Sequence, residues 1–368
     1  MKIATIETFR RDPELALVRV RTDDGHEGWG QTAVNGAEIA VQVLHEMLAP
    51  YFIGGDAWDL EVLVHEFVRA TYKYPSSFLL RALCGIDTAL WDLLGKATGQ
   101  PVYRLLGGAA RDAVPVYASS MRRNIAPEAE AERLSELVRT QGFQCVKVRV
   151  GDQMGRDHDA SPGRTATLVP LVREVLGDSV DIHADANGGY SPSKAIRVGR
   201  MLEEHGYFHF EEPCPYQEIE NTRQVAEALD MPVAGGEQDS VLEQIHRIIS
   251  ARAVDIIQTD IGYVGGVARA RRVVHMAEAA GMPCTPHCSM RSMLQVFTLH
   301  LAKSSPGISQ YQEWSIEDPN WARDIYTPVP TVQNGAVQLG DEPGWGVDPH
   351  PEFLERSEHR TSTARSVR

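Results

Sequence analysis

The chain has 368 residues, 43% hydrophobic and 23% charged, with a formal charge of −14 at pH 7. That length buries a sizeable core and allows more than one folding unit, while the negative charge speaks against nucleic acid or an anionic membrane as main partner. No apolar run reaches the ~18 residues of a membrane span, no secretory apolar core opens the chain, and Cys84, Cys145, Cys214, Cys284 and Cys288 are dispersed and odd in number, so a reducing, cytoplasmic setting is expected.

The first elements alternate. "KIATIETF" and "ALVRVRTDDGHEGWGQT" read as strands, with Asp24-Gly25 as a turn. "AEIAVQVLHEMLAPYF" and "DLEVLVHEFVRATY" carry apolar residues at helical spacing. "FLLRALCGIDTALWDLLGKATG" predicts a longer helix stopped by Gly99 and Pro101. Residues 1–110 are therefore expected to form a small α+β unit.

From "AVPVYAS" onward, short apolar runs alternate with helical stretches: "CVKVRVG", "DIHADANGG", "YFHFEEP", "MPVAGGEQ", "VDIIQTDIG", "MPCTPHCS" and "SQYQEWS". Such alternation predicts parallel βα units. The polar residues closing these runs are Lys147, Asp185, Glu211, Glu237, Asp260, His287 and Glu313. After a first step of 38, their spacings are 26, 26, 23, 27 and 26 residues. Each interval matches one βα unit, which predicts an eight-stave barrel over 111–319 with every one of these groups at its C-terminal mouth. The segment 320–368 is expected to return to the N-terminal unit and end in a solvated tail, "RSEHRTSTARSVR".

Three consecutive runs deliver Asp185, Glu211 and Glu237 to one rim. Unneutralised, they would repel one another; hard oxygen donors of this kind suit Mg²⁺. Glu211 is expected to face that ion, and Glu212, one residue on, to point away toward a basic partner. A zinc site at "CTPHC" lacks a second CxxC and is not favoured. His287 and Asp260 end adjacent runs, so a carboxylate–imidazole pair is expected, with His287 poised as a base. Lys147 and Arg149 share one face of their strand.

The stretches "VDIHADANGGY", "FEEPCPY", "VAGGEQ", "DIGYVGGV", "CTPHCSM" and "CGIDTALWDLLGKATGQPVYRLLGG" resemble the motifs of the enolase superfamily, mandelate racemase-like subgroup. The resemblance implies an α/β fold: a modified (β/α)₇β TIM barrel beneath an α+β cap completed by the C-terminal segment. It implies Mg²⁺ on Asp185, Glu211 and Glu237 with Asn187 in support, a homo-oligomer, and proton abstraction α to a carboxylate. The chain departs from the subgroup at "KVR", where a second lysine is usual. Arg149 is a poor base, which weakens a two-base racemase or epimerase. A one-base dehydratase of an acid sugar fits better: His287 takes the α-proton and returns it to the departing hydroxyl, Lys147 and Arg149 hold the substrate carboxylate, and Glu313 hydrogen-bonds there. The alternatives are racemisation, epimerisation or cycloisomerisation with Lys147 as second base, and a sugar-acid binding protein without turnover. Cap-loop candidates for substrate contact are Arg10, Arg11, Lys73 and Tyr74; on the barrel they are Asp157, His158 and Arg164, with solvated surface the commoner fate of such loops.

Overall fold

The computed structural model describes residues 1–74, 77–317 and 321–364. Its first sheet is built from β1 (Ile3–Arg10), β2 (Ala16–Thr22) and β3 (Glu27–Gln31), antiparallel neighbours in chain order. The β2–β3 turn falls at Asp24-Gly25, where Gly25 takes φ +91°. Helix Phe78–Thr98 lies against this sheet and is buried along most of its length. Gly28 and Gly30 make that contact possible, because a Cβ on either would overlap the backbone of Ala89. The helix stops at Gly99 in the left-handed region, as its sequence predicts.

The second unit is a parallel sheet of β4 (Val114–Ser119), β5 (Cys145–Arg149), β6 (Asp181–Asp185), β7 (His209–Glu211), β8 (Val233–Gly235), β9 (Ile256–Ile257) and β10 (Gln312–Ser315). Each strand pairs with its predecessor as far as β9, and β10 returns to β4, Glu313 opposite Tyr117. The expected strand at "MPCTPHCS" is present only as isolated bridges, Ile257 to Cys284, Asp260 to His287 and Cys284 to Ile308. Pro283 and Pro286 each remove a ladder donor there, so the stave keeps its place without a continuous hydrogen-bond run. The family resemblance implied this modified barrel, and the α/β architecture agrees with it.

The tail needs correction. Residues 358–363 form a strand, Glu358–Thr363, antiparallel to β1, with Thr5 opposite Thr363 and Arg10 opposite Glu358. Its side chains are mostly exposed, so its polar composition reads as solvated although its backbone is paired. His359 stacks on Phe9 with ring centroids 4.5 Å apart. Residues 365–368 lie outside the described residues. No helix among the described residues is long and apolar enough to cross a membrane.

Asp92, buried on helix Phe78–Thr98, ties the two ends of the chain together. It accepts from Trp29 N (2.8 Å) and Trp345 N (2.9 Å) and pairs with Lys96 Nζ (2.8 Å). Asp92→Ala would leave two buried amide donors unmatched and is expected to cost about 2–4 kcal/mol of unfolding free energy. Urea denaturation checks this; an unchanged midpoint would refute the bond's structural role.

Candidate active site

Parallel register decides which side chains meet. Arg149, Asp185 and Glu211 stand directly opposite one another on β5, β6 and β7, and Lys147, His183 and His209 form the layer beneath. Asp185 and Glu211 are the last residues of their strands. Glu237 comes two residues after β8, past Gly236 at φ +107°. Two further mouth residues adopt left-handed backbone without being glycine: Asn187 at φ +42° and Glu212 at φ +39°. Such strain is uncommon and concentrates where geometry is constrained by function.

Lys147, fully buried, is the hub. Its Nζ lies 2.7 and 2.9 Å from the two oxygens of Glu211, 2.8 Å from Glu313 Oε1 and 3.4 Å from Asp185 Oδ2. Burial works against its charge, but Glu211 and Glu313 hold its pKa above the ordinary lysine value. Burial likewise opposes ionisation of Glu211, yet Lys147 keeps that acid well below the usual range. Arg149 pairs with Asp185 and donates from Nη1 to Asn187 Oδ1 at 2.8 Å. Arg123 donates to the same oxygen at 2.9 Å, and Asn187 N donates to Asp185 Oδ1 at 2.7 Å. Asn187 is thus wedged into the acid cluster.

Across the mouth, His287 Nδ1–H donates to Asp260 Oδ2 at 2.7 Å. Asp260 is itself fixed, since its Oδ1 accepts from Tyr263 N at 2.9 Å. That leaves His287 Nε2 facing the acids, 3.5 Å from Glu237 Oε2 and 3.9 Å from Glu313 Oε2. Burial disfavours the imidazolium, but Glu237, Glu313 and Asp260 lift the His287 pKa well above the ordinary histidine value. Glu313 bridges the two halves: Oε1 accepts from Ser119 Oγ (2.8 Å) and Oε2 from Cys288 N (2.7 Å). Despite its burial, Lys147 and His287 bring Glu313 down to about 2.

Glu212 does not pair with a base. It is buried, Oε2 sits 3.4 Å from the Asn187 amide, and Oε1 has no partner. The left-handed turn at Glu212 breaks strand alternation there, so the residue stays inside. Burial, then Glu237 and Glu211, push its pKa well above the carboxylate range. The mouth therefore holds six buried acids, Asp185, Glu211, Glu212, Glu237, Asp260 and Glu313, against the permanent charges of Lys147, Arg149 and Arg123.

That surplus, with Glu237 Oε2 also lacking a hydrogen-bond partner, suits a divalent cation in donor chemistry and in charge. Asp185, Glu211 and Glu237 would be the residues to hold it. The cage is not preassembled, however. Among the described residues no three His, Cys, Asp or Glu side chains are arranged to hold a metal ion, and the ammonium of Lys147 lies between Asp185 and Glu211.

Several loop candidates do not reach this site. Arg10 pairs with Glu358 and Arg11 stacks over Phe353, both held by the C-terminal segment. Tyr74 is exposed and Lys73 lies over the Tyr72 ring; their neighbours Pro75 and Ser76 fall outside the described residues. Asp157 accepts from Ser191 N, and His158 bonds its neighbour's carbonyl. Arg164 is buried and donates to the Arg149 carbonyl at 2.8 Å, so it props the strand rather than lining the mouth. Arg81 and Tyr263, which the sequence analysis did not single out, stack on one another near His287. All five cysteines are free and buried.

Residues 2–107 match the family description "Mandelate racemase / muconate lactonizing enzyme, N-terminal domain", and residues 129–353 match "Enolase C-terminal domain-like". The chain belongs to the enolase superfamily, mandelate racemase subgroup. This enolase-superfamily member is 31% identical to an arabinonate dehydratase of Saccharolobus solfataricus over 90% of its own length and 87% of that protein. It is 29% identical to a D-galactonate dehydratase of Pectobacterium atrosepticum, over 98% of this chain and 95% of the relative. A provisionally named racemase from Roseobacter denitrificans superposes with a TM-score of 0.96 at 47% identity, covering 99% of this chain and all of that one. The chain is an enzyme, and its dehydratase relatives point to the lyases.

If the acid surplus is a cation site, divalent cation at about 100 times its dissociation constant should add about 2.7 kcal/mol of stability. Thermal melts with magnesium chloride against sodium chloride of equal ionic strength read this out, and Glu237→Gln should remove most of the difference. Equal melts in both salts would count against the site.

Proposed function

We propose that this enzyme dehydrates an acid sugar, an aldonic or aldaric acid, to a 2-keto-3-deoxy acid, with Mg²⁺ held by Asp185, Glu211 and Glu237. The observation that carries the reading is the His287–Asp260 pair, whose free Nε2 faces the acid cluster. The dehydratase names of the relatives support the substrate class, and five free cysteines suit a cytoplasmic setting.

When bound, the cation would neutralise the substrate carboxylate and stabilise the negative charge that grows on it as the α-proton leaves. In its neutral form His287 takes that proton at Nε2, and Asp260 at Nδ1 fixes the tautomer and steadies the imidazolium that results. The same imidazolium returns its proton to the β-hydroxyl, which leaves as water while the electron pair left by the α-proton forms the Cα–Cβ double bond; the resulting enol tautomerises to the 2-keto-3-deoxy acid. Arg149 and Lys147 bring positive charge to the carboxylate end. Glu313, held by Ser119, Lys147 and Cys288 N, offers a fixed hydrogen-bonding group beside it.

The racemase name given to the Roseobacter protein favours one other reading, in which Lys147 is a second base. The geometry argues against it: three carboxylates surround the ammonium of Lys147, and Arg149 occupies the position where a second lysine would serve.

A screen of aldonic and aldaric acids for 2-keto-3-deoxy product, with and without Mg²⁺, tests the proposal. His287→Asn should lower kcat roughly 10²–10⁴-fold while leaving Mg²⁺ binding intact. Full activity in that variant would remove the histidine from the reaction, and α-proton exchange in D₂O without product would favour the racemase.

A further inference from the structure

Arg81, in the first turn of helix Phe78–Thr98, reaches from the cap to the barrel mouth. Its Nη1 donates to Val34 O at 2.6 Å, and its guanidinium carbon lies 3.9 Å from the centre of the Tyr263 ring. That ring in turn stands 6.3 Å from the imidazole of His287. The seam is tight. Ala33 N donates to Arg81 O at 3.1 Å, and a Cβ on Gly262 would meet that of Ala33 at 2.9 Å.

Charge sets Arg81 apart from the other arginines of the mouth. Arg149 pairs with Asp185, Arg123 donates to Asn187 Oδ1, and Arg164 donates to backbone carbonyls of the barrel. Among the described residues Arg81 has one carbonyl and one ring and no carboxylate partner. The hydroxyl of Tyr263 likewise makes no hydrogen bond among the described residues, although both side chains are only partly buried. A chain carrying −14 overall leaves a guanidinium unmatched beside its own acid cluster. A planar guanidinium with a phenol next to it suits a carboxylate, which it can hold with two parallel bonds.

We propose that Arg81 and Tyr263 form a subsite for a second carboxylate, so that the acid sugar taken is a diacid (aldaric) rather than a monoacid (aldonic). This rests on the acid-sugar reading above. With its first carboxylate at the Lys147 and Arg149 side and its α-carbon under His287 Nε2, the far end of the substrate runs toward the cap, where Arg81 waits.

The test compares an aldaric acid with the aldonic acid of matching stereochemistry, by product formation in the wild type and by calorimetric titration of the His287→Asn enzyme with Mg²⁺. The wild type should favour the diacid, and Arg81→Gln should lower the diacid-to-monoacid ratio of kcat/KM roughly 10–100-fold. Arg81→Lys should recover only part of it, and Tyr263→Phe, which keeps the ring, should lower it in the same direction. A wild type that prefers monoacids, or variants that lose both substrates equally, overturns the subsite. Diacid binding without turnover leaves the subsite standing and sinks the dehydratase; no binding of either acid overturns both.

Discussion

Everything at the barrel mouth answers to one electrostatic problem: six buried carboxylates are gathered around the charges of Lys147, Arg149 and Arg123. Burial makes each unpaired charge costly. The structure distributes the strain unevenly. Lys147 lowers the pKa of Glu211 and Glu313, which it touches, whereas burial and neighbouring acids raise that of Glu212 and Glu237. A divalent cation bound there would relieve that imbalance at its source, and placing charge this way is how a weak carbon acid can be made to ionise.

The fold delivers the arrangement through register. Strands β5, β6 and β7 carry Arg149, Asp185 and Glu211 at one height, and the layer below contributes Lys147 from the same face. Beneath the acids His183 and His209 stack at 3.7 Å, and burial lowers the pKa of both, so this floor favours uncharged rings. The cap reaches the same mouth from above. Asp87 accepts from Val267 N at 2.5 Å, which fastens helix Phe78–Thr98 to the barrel helix Val267–Ala279, and Gln31 Nε2 donates to Ser292 Oγ at 3.0 Å on the far side. Cap and barrel therefore share responsibility for where the His287–Asp260 pair stands.

How much of this the sequence revealed follows from what repeats. The interval of about 26 residues between strand-end polar groups exposed the barrel and the mouth, because one βα unit has a nearly fixed length. The dyad was legible for the same reason: adjacent staves bring their ends together. The rest depended on features without a period. Pro283 and Pro286 dissolve the ladder of the seventh stave while leaving its position intact. The strand Glu358–Thr363 owes its existence to backbone pairing with β1 and so leaves no apolar trace. Glu212 turns inward because its backbone goes left-handed, which alternation does not foresee. Arg81 lies within an ordinary helical pattern, and only its stack on Tyr263 shows which way it faces.

The central claim concerns the space now bridged by the ammonium of Lys147. A crystal structure of the enzyme grown with magnesium chloride addresses it most directly. The account predicts one cation with oxygens of Asp185, Glu211 and Glu237 at about 2.0–2.1 Å, on the face toward His287 Nε2, and Lys147 displaced from between Asp185 and Glu211. A cation bound elsewhere, with Lys147 still bridging those two acids, would contradict it.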